Sequence, residues 1–111
     1  MESPLKERDW MYMRSIHDEL LHGLCAEINK RAAHIASGNN GNPHERYLVL
    51  YRYIHEADGI IVDCFDDWRR STLTATILAL RRNDLLTGEH VEHLSSEAQE
   101  WLRKTEEPEK M

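Results

Sequence analysis

Between His44 and Arg70 the polar residues Arg52, Glu56, Asp63, Asp66, Asp67 and Arg70 recur at spacings of three and four, the repeat of one helical face. Tyr47, Tyr51, Ile54, Ile61, Val62 and Phe65 fall on the other face and form an apolar stripe, which predicts a helix over about 43–70. Asp58 interrupts that stripe. A carboxylate carried into a core costs several kcal/mol unless it is paired, so Asp58 is expected to meet a partner. Leu48, Val49 and Ile60 lie outside the stripe, which makes this helix apolar over more than half its circumference and places it at the centre of the domain or in a second interface. A hairpin with strands 47–54 and 60–65, turned at Asp58-Gly59, competes with the helix because both runs are rich in Tyr, Ile and Val. The lack of regular alternation favours the helix.

Upstream, Ser3-Pro4 is a cap-and-first-turn signature, and Trp10, Met13, Ile16, Leu20, Leu24, Ile28 and Ile35 carry a helical period over about 5–36. Glu27 and Arg31 occupy stripe positions in the second half of this helix, where they are expected to meet solvent or a polar partner instead of a dry core. The run Ser37-Gly38-Asn39-Asn40-Gly41-Asn42 breaks it, and Asn42-Pro43 restarts the chain as a helix. Ser71 caps a third helix over about 72–83, with Leu73, Ile77 and Leu80 inward and Arg81-Arg82 at its negative end. Thr87-Gly88 follows, and then Ser95 or Ser96 starts a fourth helix over about 96–105, with Gln99 in capping-box position. The pattern predicts an all-α, four-helix antiparallel bundle in one domain, 1–105, followed by a frayed charged tail, 106–111. The two long helices, ~48 and ~40 Å at 1.5 Å per residue, outrun the two short ones, so a homodimer is expected to cover the surplus apolar surface.

Antiparallel register sets which polar groups can meet. Around the first loop Asp58 faces the level of Leu20 to Leu24, about 7 Å of helix rise from His17, and around the second junction it lies level with Arg81, Arg82 and Asn83. An Asp58 pair with Arg81 or Arg82 that fixes helix register is therefore the expected role. The competing reading is a small-molecule site or enzyme pocket lined by His17, Tyr47, Tyr51, His55, Asp58 and Trp68, aromatic rings around a few polar groups.

Seven histidines raise the question of a metal. His55 and Asp58, and Glu19 and His22, have helical ligand spacing, but inward carboxylates on four helices are missing, and His90 and His93 sit beside Glu89 and Glu92 as ordinary surface. No metal, cofactor or catalytic set is assigned. Arg14, Arg31, Glu45 and Arg46 resemble the arginine layout of the helical chorismate mutases over the first half of the chain only. The loop lacks the lysine which that layout implies, and Arg14 projects away from the stripe.

The 111 residues carry a net charge of −6 with no basic run longer than a pair, which disfavours nucleic acid and suits a basic protein surface. A helix-turn-helix over 71–104 would turn Glu89, Glu92, Glu97 and Glu100 toward phosphates. No apolar run is long enough for a membrane span or a signal peptide, so a cytoplasmic protein is expected. Cys25 and Cys64 are too far apart for a paired-cysteine motif and read as structural thiols. The functional expectation is a small helical interaction or regulatory module, more readily non-enzymatic.

Overall fold

The computed structural model describes residues 3–107. Its helices are α1 (Glu7–Ser37), α2 (Pro43–Phe65), α3 (Leu73–Arg82), α4 (Gly88–Val91) and α5 (Ser96–Glu106), with a single 3-10 turn at Arg70–Thr72. The fold is all-α, no strand occurs among the described residues, and 47–65 is helix throughout, not a hairpin. No helix among them is long and apolar enough to cross a membrane.

Local chemistry sets the boundaries. Asn42 accepts the Glu45 N–H at 2.9 Å while its own N–H donates to the Glu45 carboxylate at 3.2 Å, a capping box with Pro43 in the first turn. Gly41 before it has φ +71°, a left-handed backbone conformation that strains any residue with a side chain, so the turn favours glycine. The second helix stops at Phe65, five residues short of the expected end. Asp66 and Asp67 set negative charge at the negative end of the helix, and Thr72 stitches the exit by donating to the Asp67 carbonyl at 2.6 Å and accepting the Arg69 N–H at 3.2 Å. α3 ends in a Schellman motif, Leu85 N–H to Leu80 O at 2.9 Å and Asp84 N–H to Arg81 O at 3.1 Å, with Asp84 at φ +57°. The expected start near residue 5 moves to Glu7, where the first-turn Asp9 accepts the Lys6 N–H at 2.8 Å. The short α4 is an addition to the expected four helices, capped by Thr87. Of the expected tail, Glu106 belongs to α5, and residues 108–111 lie outside the described part.

α1 and α2 form a long antiparallel hairpin, and α3, α4 and α5 pack on one end of it. The core lies at that end: Met13 and Leu20 of α1, Cys64 and Phe65 of α2, Leu73, Ile77 and Leu80 of α3, then Leu86, Leu94, Ala98 and Leu102. From Leu21 to Glu56 not one residue is fully buried, and Glu27 and Arg31 are exposed. The five helices therefore do not wrap the hairpin along its length. The tip is a two-helix structure whose Leu24, Ile28 and Ile35 are only half covered.

The fully buried charge is Asp9, at 0% exposure. Besides the Lys6 N–H it accepts the Ser95 N–H at 2.6 Å and the Ser95 hydroxyl at 2.7 Å, and that same hydroxyl accepts the Ala98 N–H at 3.2 Å as the cap of α5. Arg70 adds a fork onto Glu7 at 2.7 to 3.2 Å and stacks over Trp10 at 5.4 Å, fastening the start of α1 to the 3-10 turn. Arg81 joins α3 to the end of α5 by two bonds to Glu106, at 2.7 and 2.9 Å, and donates to the Leu86 carbonyl at 2.8 Å.

Asp9→Ala leaves the buried Ser95 amide and hydroxyl without their acceptor and removes the part-buried bond from the Lys6 amide. It should cost about 3 kcal/mol in urea unfolding, with Asp9→Asn costing less because one acceptor oxygen remains. Arg81 holds the Glu106 carboxyl below the usual glutamate range. A lowered native pKa contributes stability that is complete above the ordinary glutamate value and lost as pH falls through the native one. Glu106→Gln should therefore be less stable than the parent at pH 7, by no more than about 1 kcal/mol for a pair this open to solvent, and the gap should narrow in melting curves as pH falls below the ordinary glutamate range.

Candidate functional site

Most of the stripe read from the sequence faces outward, whereas its far end turns in, with Ile61 half-buried and Phe65 in the core. With 100° per residue, Tyr47, Tyr51, Ile54 and Asp58 fall within one 60° arc of α2, with Val62 at its edge. Tyr47 is 58% exposed, Tyr51 60%, Ile54 42% and Val62 46%. The side turned to α1 is the neighbouring arc of Leu50, Tyr53, Ala57, Ile60 and Cys64, which are half-buried or buried. The small side chains of Ala57 and Cys64 allow α1 to approach closely there.

Asp58 is accordingly exposed, which corrects the expectation that it is a core carboxylate. It takes no ion pair with Arg81 or Arg82 among the described residues, since Arg81 is engaged by Glu106 and Leu86. The register-fixing role expected of Asp58 falls to Asp9 within the chain.

The outward face is ordered by its own rings. His44 stacks on Tyr47 at 6.4 Å, Tyr47 leans on Tyr51 at 6.4 Å, and Tyr51 stacks on His55 at 6.3 Å with 4° between planes. These i, i+3 and i, i+4 neighbours form a ladder along the exposed face of α2. Asp58 continues it as the one charged group on the arc.

The six candidate ligand residues separate into two groups. Tyr47, Tyr51, His55 and Asp58 share the open face of α2. His17 and Trp68 meet elsewhere, ring edge to ring face at 4.6 Å, with Phe65 parallel to Trp68 at 5.5 Å. His17 Nδ1 is bound to Asp18 at 2.9 Å, and that bond holds the Asp18 carboxyl below its usual range. Open clefts of about 310 to 540 Å³ indent the surface, and none of these five is lined by any of the six residues.

A smaller polar cluster joins α1 to α4. Tyr12 stacks on His93 at 5.1 Å, and His90 Nε2 lies 3.8 Å from Glu19 while its Nδ1 accepts the Thr87 N–H at 3.0 Å. Partial burial, with Glu19 and Glu89 nearby, pushes the Tyr12 hydroxyl pKa upward. Its rings are brought together from far apart in the chain, a proximity that no local spacing encodes. No group of three or more His, Cys, Asp or Glu side chains placed to hold a metal ion occurs among the described residues.

Comparison with known proteins yields no matching family model, no similar curated protein and no similar solved structure. The functional reading rests on the shape and chemistry of the surface.

The two thiols should behave differently. Cys64 is buried, receives a contact from Asn83 Nδ2 at 3.6 Å and has its pKa raised by burial, whereas Cys25 is half exposed on the open hairpin. Aromatic disulfide reagents should titrate one thiol in the native protein and the second only on unfolding, and Cys25→Ser should abolish the fast phase.

Proposed function

We propose that the protein is a non-enzymatic helical interaction module that pairs with a second copy of itself through the open face of α2. The observation that carries the reading is the ordered aromatic and aliphatic arc of Tyr47, Tyr51, Ile54 and Val62, which the chain leaves in solvent. Contiguous apolar surface of this kind is characteristic of a protein contact.

The area supports a second copy as occupant. The chain exposes 8071 Å², on the order of 1,500 Å² more than size scaling gives a compact monomer of 13.1 kDa. Its radius of gyration is 17.4 Å, against roughly 13 Å for a compact domain of this length. A standard interface removes about 800 Å² from each partner, so the surplus is large enough for one. Two hairpins laid α2 to α2 would bring four long helices together in an antiparallel four-helix arrangement. A two-fold contact also needs only one patch, and the patch is present once per chain.

The small-molecule reading loses support because its residues are divided between two places and share no cleft. A basic protein surface, which the net charge of −6 suits, is the rival occupant of the same face.

Sedimentation equilibrium across the micromolar range should show a concentration-dependent dimer that Ile54→Glu converts to monomer. The circular dichroism melt of the isolated chain should barely move, because Ile54 is already exposed there. A parent chain that stays monomeric, or a dimer indifferent to Ile54→Glu, would overturn the reading. Binding of a basic protein to that monomer through this face would assign the surface to the rival partner.

A further inference from the structure

We infer that Asp58 sets the orientation and register of the α2 contact, by pairing with Tyr51 of the second copy across a two-fold axis between Ile54 and His55. The inference rests on the self-pairing reading above.

The exposed apolar arc runs from Tyr47 to Val62, and its midpoint falls between Ile54 and His55. An antiparallel two-fold contact centred there gives complete overlap of the arc. Tyr47 then opposes Val62 of the second copy, Ile54 opposes His55, and Tyr51 opposes Asp58. The lone carboxylate of the face meets a phenolic hydroxyl that can donate to it, and the same bond forms twice by symmetry.

Other arrangements strand the charge or shorten the apolar overlap. In a parallel pair the two Asp58 carboxylates lie at the same height and repel. A slide of one turn in one direction sets Asp58 against Ile54 of the second copy, a desolvated carboxylate without a donor. A slide the other way sets Asp58 against Tyr47 or Leu48 and Val62 against Pro43 or His44 at the start of α2, which shortens the apolar overlap. Antiparallel helices also set unlike ends of their macrodipoles together. A single polar group in an apolar seam fixes register in this way at a cost in stability, as buried polar residues do in coiled coils.

Disulfide trapping tests the arrangement with Tyr51 and Asp58 in place. In a Cys25→Ser background, Tyr47→Cys combined with Val62→Cys should give a covalent dimer in oxidised glutathione. Each single substitution should give none, because like positions are then about 22 Å apart along the helices, far beyond the ~7 Å Cα separation a disulfide tolerates. The two positions are equally far apart within one chain, so a link between them reports the second copy. Tyr51→Phe should weaken association by about tenfold or more. Asp58→Leu should keep the dimer but let the single cysteines cross-link as well. Cross-linking of the single cysteines with Asp58 intact would overturn the antiparallel register, and an unchanged pattern in Asp58→Leu would overturn the role of Asp58. A dimer still abolished by Ile54→Glu in which the double variant does not cross-link would reject this register and keep the α2 contact. A monomeric parent would reject both.

Discussion

The fold depends on one buried carboxylate. Asp9 sits in the first turn of α1 and collects three hydrogen bonds, one from the backbone before its own helix and two from Ser95 at the start of α5. Each bond answers a need that burial creates: two backbone N–H groups at helix starts require acceptors, and a desolvated carboxylate requires donors. The two ends of the chain are joined in this way, 86 residues apart in sequence. Ser95 also caps α5, so the docking of that helix and the solvation of Asp9 are a single arrangement.

The position of this clasp determines the shape of the molecule. α3 to α5 gather around the base of the hairpin, where Met13, Phe65, Ile77, Leu80 and Leu102 form the core. They leave uncovered the half of the hairpin from Leu21 to Glu56. Two helices with little else against them bury too little apolar surface to be rigid, because helical stability in water comes mainly from packing. The tip and the outer arc of α2 are thus both the least covered part of the chain and the part with surface to offer a partner. Packing and proposed function meet in that incomplete coverage.

The helices were legible in the sequence, as were the caps of α2 and α5, but Ser3-Pro4 and Ser71 do not cap the helices expected of them, since α1 follows Lys6 and α3 follows Thr72. The period of Trp10, Met13, Ile16 and Leu20 marks α1, the Asn42-Pro43 pair marks the start of α2, and Ser95 marks that of α5. Local signals could not say which way α2 turns. It is apolar on two sides, and the choice went to Ala57 and Cys64 because small side chains admit a neighbouring helix, a matter of packing and not of periodicity. Asp58 stands out in the sequence because it breaks a stripe, but the part of the stripe that carries it belongs to the outside, while Phe65 at its end is core. Asp9 escaped notice because an acid in a first turn is commonplace and its partner lies at the far end of the chain. The early stop of α2 at Phe65 was likewise hidden in the reach of Thr72 back to Asp67.

A core clasped at one end leaves the outer face of α2 open, the face we propose a second copy covers. Amide hydrogen exchange measured as a function of protein concentration addresses this most directly, because protection reports local coverage. The account predicts that amides between residues 44 and 62 become more protected as concentration rises, while those of Leu73 to Leu80, buried within the single chain, stay constant. Protection in α2 that is independent of concentration would contradict it.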